Sequence, residues 1–175
     1  MLRVLLVADS HGVLDSRIEA QLAGCDWAVH AGDIGNADVL DRLGAASQVC
    51  AVRGNNDQPS KWPAQDVHRL AQLNEEARLN FPGGELVVVH GHRVRSAAAR
   101  HAELRRIYPQ ARAVVYGHSH RQVCDQQASP WILNPGACGR ARTYGGPSCL
   151  LLSIAGSRWN VEPIRFPPLP RSKSP

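Results

Sequence analysis

Three features of this 175-residue sequence predict an α/β fold. Apolar, β-branched runs alternate with helix-like segments in the first third. Further apolar runs, separated by turns bearing Gly or Pro, fill the second half. Run after run stops at a short cluster of His, Asp, Asn and Gly. The first two features describe strands and crossover helices around a shared core. The third locates chemistry, because ligands of open α/β sheets collect beyond the carboxyl ends of the strands.

The elements follow in order. Leu2 to Ala8 is a continuous apolar run of the kind buried on both faces, and it stops at Asp9-Ser10-His11-Gly12. An imperfect helical pattern covers Leu14 to Leu22 and ends at Gly24. A second strand, Trp27 to Ala31, runs into Gly32-Asp33-Ile34-Gly35, and Asn36 can cap a helix carrying Val39, Leu40 and Leu43 that stops at Gly44. A third, Gln48 to Arg53, runs into Gly54-Asn55-Asn56-Asp57. Gln58 to Val67, with two prolines, reads as an irregular loop. Ala77 to Phe81 and Glu85 to Val89 read as a hairpin whose second arm ends in His90-Gly91-His92. Ser96 can cap a basic helix from Ala97 to Tyr108. The strand Ala113 to Tyr116 ends in Gly117-His118-Ser119-His120, and strand-like segments follow at Gln122 to Asp125, Trp131 to Leu133, Ser148 to Ile154 and Trp159 to Ile164. This second half reads as antiparallel. One domain over residues 1–165 is expected, with a Pro-rich, disordered tail at 166–175.

Composition narrows the function. At 43% hydrophobic and 20% charged residues the chain has the make-up of an ordinary globular domain. The start of the chain carries no cleavable signal pattern and no apolar run reaches eighteen residues, so a cytoplasmic protein without membrane association is expected. Five scattered cysteines lack Cys-x-x-Cys spacing and read as reduced thiols. The formal charge of +5 suits a phosphate-bearing small molecule. Nucleic acid is not indicated, because aromatic content is 5% and no basic segment is interleaved with aromatics. A homodimer is the default oligomer.

An isolated His-x-His reads as two solvated loop histidines. Repetition of the pattern reverses that reading. Alternation along a strand lets His118 and His120 point the same way. Together the strand ends supply Asp9, His11, Asp33, Asn55, His90, His118 and His120. Such a set, rich in imidazole and carboxylate and free of thiolate, suits Mn, Fe, Ni, Co or Zn. Seven ligands are too many for one tetrahedral ion and fit two ions sharing a carboxylate.

The five clusters, in this order, resemble those of the calcineurin-like metallophosphoesterase superfamily. Small size, the lack of a cap domain and Asn134-Pro135-Gly136 resemble its compact YfcE-type phosphodiesterase branch. The resemblance implies a four-layer αββα sandwich with two divalent ions, manganese first among them, at one edge of the sheets. It places Asp9, His11 and His120 on one ion, Asn55, His90 and His118 on the other, and Asp33 between them. It implies hydrolysis of a phosphate ester by a hydroxide bridging both ions.

The sequence departs from the wider superfamily at Asn56, where many members carry a histidine. An amide hydrogen-bonds but is no general acid near pH 7. Good leaving groups are then favoured, or another acid acts. His92 is the candidate to supply the proton or bind the phosphate, against a plain solvated histidine. His30 reads as a hydrogen-bonded core residue, His68 and His101 as solvent-facing, Asp57 as orienting the loop, Asn134 as fixing a turn, and Arg93 and Arg95 as a solvated basic loop. Two alternatives stand beside the phosphodiesterase. One is a non-catalytic scaffold like the retromer subunit Vps29, which has no chemical need of seven ligands. The other is a phosphomonoesterase or protein phosphatase.

Overall fold

Alternation along the strands sorts the apolar side chains into three core layers, and three cores require four layers of backbone. In β1 (Leu2–Val7), Leu5 and Val7 join Ile18, Leu22, Val39, Leu43 and Leu70 from the helical side. Val4 and Leu6 face the other way, onto Leu86, Val88, Val115 and Leu133 of a second sheet. That sheet turns Val87, Val114 and Ile132 outward onto Leu104. The computed structural model, which describes residues 1–94 and 96–168, is therefore an αββα sandwich, as expected.

In the first sheet β1, β2 (Trp27–His30) and β3 (Gln48–Ala51) run parallel, and β9 (Ser148–Ala155) and β10 (Arg158–Arg165) add antiparallel on the free side of β1. Pro163 sits in β10, the edge strand, where a missing N–H does least harm. The second sheet has the order β4 (Glu76–Phe81), β5 (Gly84–Val89), β6 (Ala113–Val115), β8 (Trp131–Asn134), β7 (Val123–Asp125). The antiparallel reading of the second half holds for β7–β8 and β9–β10 and is corrected for β8 beside β6. Strands β5, β6 and β8 are mutually parallel, and only the flanking pairs β4–β5 and β7–β8 are antiparallel. Apolar runs look alike in either direction, so direction was not legible in them.

Two of the expected helices are shorter than their patterns. α1 (Ser16–Glu19) starts after Asp15, whose carboxylate accepts from the Arg17 backbone, and tightens into a 3₁₀ turn over Ala20–Leu22. α2 (Ala37–Gly44) is capped by Asn36 as expected. The loop after β3 contains a 3₁₀ turn at Ala64–Asp66 and leads into α3 (Val67–Leu70). α4 (Arg100–Ile107) begins four residues beyond Ser96, whose hydroxyl accepts from Ala99 in a preceding turn.

Cys25, Cys138 and Cys149 are buried thiols, Cys50 is half-buried and Cys124 is exposed. Of the tail, Phe166 packs against the helical-side core and Pro167 accepts from Arg17. Residues 169–175, and Arg95, lie outside the described residues. Among the described residues no helix is long and apolar enough to cross a membrane.

Candidate metal centre

Six parallel strands, three per sheet, end at one edge of the sandwich. Main-chain bonds continue past the strands and tie the edge together. Asp9 N–H donates to Gly32 O, Gly117 N–H to His90 O, and Cys138 N–H to Ala8 O. The chain must reverse sharply there, and Asp9 (φ 53°), His11 (47°), Asp33 (56°), His118 (66°) and His120 (56°) all adopt left-handed backbone conformations. Such values disfavour residues with a Cβ and persist where surrounding bonds over-determine them. The strain falls on the side chains that converge. Gly54 supplies the remaining room, since a Cβ there would lie 2.2 Å from Asp33 Oδ1.

All seven residues expected at the site come together. Asp9, His11 and His120 present ligand atoms mutually within 4.8 Å, as do Asp9, Asp33 and His90. Asp33 spans the two groups, with Oδ2 3.9 Å from His11 Nε2 and Oδ1 3.4 Å from His90 Nε2. Asn55 Oδ1 lies 3.1 Å from His118 Nδ1. Two tautomers are set from outside. His90 Nδ1 donates to Ala31 O at 2.8 Å and His120 Nδ1 to Ala141 O at 3.2 Å, which leaves each Nε2 facing the cluster. Buried polar atoms normally find partners, yet Asp9 Oδ2 and His90 Nε2 are buried without a hydrogen bond. Two orphaned atoms of this kind, among oxygen and nitrogen donors only, fit divalent cations.

The electrostatics agree. Burial raises the Asp9 carboxyl to about 7. Burial lowers His11 and His118, and burial with Arg142 nearby lowers His120 to about 4. These imidazoles are held in the neutral form that ligates metals. For His90, burial pulls down but the Asp33 and Asp9 carboxylates outweigh it and raise the ring. Burial likewise works against Asp33 as an anion, yet His90 and the Asn56 donors hold its carboxyl below the ordinary range.

A surrounding shell fixes these groups. Asp57, 4% exposed, accepts from the main chain of Ile34, Gly35 and Gly54 and from Trp62 Nε1, so it ties two site loops to each other. Asn56 donates through its main chain to Asp33 Oδ1 (2.8 Å) and through its amide to Oδ2 (2.7 Å). His30 is fully buried, bonded to Ser10 Oγ at 2.8 Å, and its pKa is lowered by burial to about 3. Asn134 donates to Gly117 O and Ser119 Oγ and so props the loop of His118 and His120. His92 stands beside the cluster, its ring 5.5 Å from that of His90, and burial with His90 nearby lowers its pKa. His101 is corrected from a solvent-facing residue, because it joins Asp125 to the Tyr116 hydroxyl. His68 stays outside the site, against Gln65 O.

Two residues escaped the sequence reading. Lys61 donates to Asn56 Oδ1 at 2.6 Å and Arg142 to His120 Nε2 at 3.3 Å, and both line one cleft with His11 and Asp33. Each belongs to a loop beyond a strand end, which was the one available signal. Lone basic residues in such loops carry no pattern of their own.

Residues 2–157 match the calcineurin-like phosphoesterase superfamily domain. No curated protein matches the sequence. Among solved structures, Vps29 of Entamoeba histolytica complexed with zinc is similar at a TM-score of 0.73 and 18% identity, covering 95% of this chain and 99% of that one. A conserved Streptococcus pneumoniae protein described as a predicted phosphoesterase aligns at 0.67 and 19%, covering 94% and 89%. An archaeal phosphodiesterase aligns at 0.65 and 18%, covering 93% and 100%. These likenesses establish a shared fold.

Proposed function

The chain belongs to the calcineurin-like phosphoesterase superfamily, and from that premise we propose that it is a metal-dependent phosphodiesterase acting on a small-molecule phosphate ester. The observation that carries the reading is the buried donor set, in which Asp9 Oδ2 and His90 Nε2 have no hydrogen-bond partner while Asp33 lies near both His11 and His90. In the proposed assignment Asp9, His11 and His120 hold one ion, Asn55, His90 and His118 the other, and Asp33 serves both. Divalent ions held there, manganese first among the candidates, would supply an activated water and neutralise the phosphoryl oxygens.

The protein's own groups do the rest. Asn56 keeps both Asp33 oxygens aimed by two donated bonds, a positioning role in place of acid catalysis. His92, with its lowered pKa, is mostly neutral at pH 7 and suits hydrogen bonding to a phosphate or leaving oxygen better than storage of a proton. Without a strong acid in place, esters of good leaving groups are the favoured substrates.

The test is hydrolysis of bis(p-nitrophenyl) phosphate by chelator-stripped protein with Mn²⁺ restored, beside an Asp33→Ala variant. Activity that returns with metal and vanishes in the variant supports the reading. No turnover with any first-row divalent ion overturns it. The likeness to Vps29 would then favour a protein-binding scaffold, and partners would be the next object of search.

A further inference from the structure

The two flanks of the cluster differ in how their cations are employed. On the His90 and His118 side, Arg53 and Arg93 both pair with the single carboxylate of Glu75, Arg53 at 3.5 Å, so each cation bordering His92, Gln58 and Pro59 already has an acidic partner. On the His11 and His120 side, Lys61 and Arg142 reach a cleft of about 300 Å³ from two separate loops. Among the described residues neither of them forms an ion pair with a carboxylate. Two acids line this cleft: Asp33 faces the ligand cluster with both oxygens held by Asn56, and Asp57 is buried with its oxygens occupied by four donors.

The partners of these two cations are neutral. Lys61 spends one donor on the Asn56 amide oxygen and has two more. Arg142 donates to the His120 Nε2 lone pair, the pair a metal would take, and its fork has further N–H groups to offer. Its left-handed backbone (φ 51°) holds it over the cleft, in a loop anchored where Arg121 stacks at 4.5 Å on Tyr144. A monoanionic diester phosphate leaves no charge over for two additional unpaired cations once divalent ions face it.

We infer that Lys61 and Arg142 form a clamp for a second phosphate of the substrate, so that the preferred substrate is a diester bearing another phosphate group near the scissile one. The inference rests on the phosphodiesterase reading for the word diester, whereas the clamp itself is a binding site and is testable without turnover. Paired charge-assisted hydrogen bonds of this kind set a preference of about 10- to 100-fold.

Two measurements decide it. The first compares kcat/KM for thymidine 5′-(p-nitrophenyl phosphate) with and without a 3′-phosphate. The 3′-phosphate should improve kcat/KM by at least about tenfold, chiefly through KM, and the ratio should fall to about one in Lys61→Ala/Arg142→Ala while Lys61→Arg retains most of it. The second measures binding of thymidine 3′,5′-bisphosphate and of thymidine 5′-monophosphate to metal-free protein by calorimetry. The bisphosphate should bind at least about tenfold more tightly, and the double variant should lose the difference. Equal binding of the two ligands by the unmodified protein, or a difference that survives in the double variant, overturns the clamp. Discriminating binding without hydrolysis would keep the clamp and overturn the phosphodiesterase reading instead.

Discussion

Asp57 shows how much of the site depends on one buried carboxylate whose oxygens are taken up by the protein's own donors. It gathers four donors from three chain segments, and removing it strands them all in a buried place. Asp57→Ala is expected to cost roughly 3–5 kcal/mol in urea unfolding, because each buried donor left without a partner costs about 1–3 kcal/mol. It should also weaken metal binding about 10- to 100-fold, as loss of supporting bonds around ligands does. Asp57→Asn keeps an acceptor and should fall between. A variant as stable as the unmodified protein, with unchanged metal affinity, would show that the loops hold their shape without it. At this scale the sequence was informative about identity. Each His, Asp and Asn brought together at the edge stands in a motif legible from the chain. The tautomers of His90 and His120 were not legible, because they are set by the carbonyls of Ala31 and Ala141, which come from other segments.

The elements contribute by where they stop. A strand that ended one residue later would reverse the side on which its last side chain emerges. Five site residues reach the cluster through left-handed turns instead. Gly54, in the loop after β3, lies hard against a site side chain, and Gly54→Ala would drive a methyl group onto the Asp33 carboxylate and main chain. A loss of roughly 1–3 kcal/mol is expected from overpacking, together with a fall in metal affinity read by titration with Mn²⁺. Gly44, at the end of α2, is the control. A Cβ there meets Val49 at 3.5 Å, an ordinary contact, and Gly44→Ala should leave metal binding unchanged. Equal effects of the two substitutions would remove Asp33 displacement as the cause. Strand positions were readable from apolar runs, and the cap of α2 from Asn36. The start of α4 was misread, because a serine hydroxyl that caps a helix and one that closes a turn look the same in sequence.

For the whole molecule the pKa shifts set the response to acid before metal is bound. Burial lowers His11, His30, His92, His118 and His120, with His30 at about 3 and His120 at about 4. Each of these rings takes up a proton in the unfolded chain below about 6.5 more readily than in the folded one, so stability falls as pH drops through that value. Asp9, raised to about 7, and His90, also raised, act in the opposite sense, because the folded state holds protons there that the unfolded chain has lost. The lowered rings outnumber them. Thermal unfolding of metal-free protein should therefore give a lower midpoint at about pH 5 than at about pH 7.5. An equal or higher midpoint at the acid value would mean that proton uptake at Asp9 and His90 outweighs the lowered rings.

The sequence by itself determined the fold class, the strand ends and the identities of the converging donors, because apolar periodicity and residue chemistry are local properties of a chain. Only the tertiary structure decided that β5, β6 and β8 run parallel, that β9 and β10 return to the first sheet, and that Lys61 and Arg142 meet over His11. Strand direction and the meeting of distant loops depend on which surfaces pack together, and no single segment carries that information.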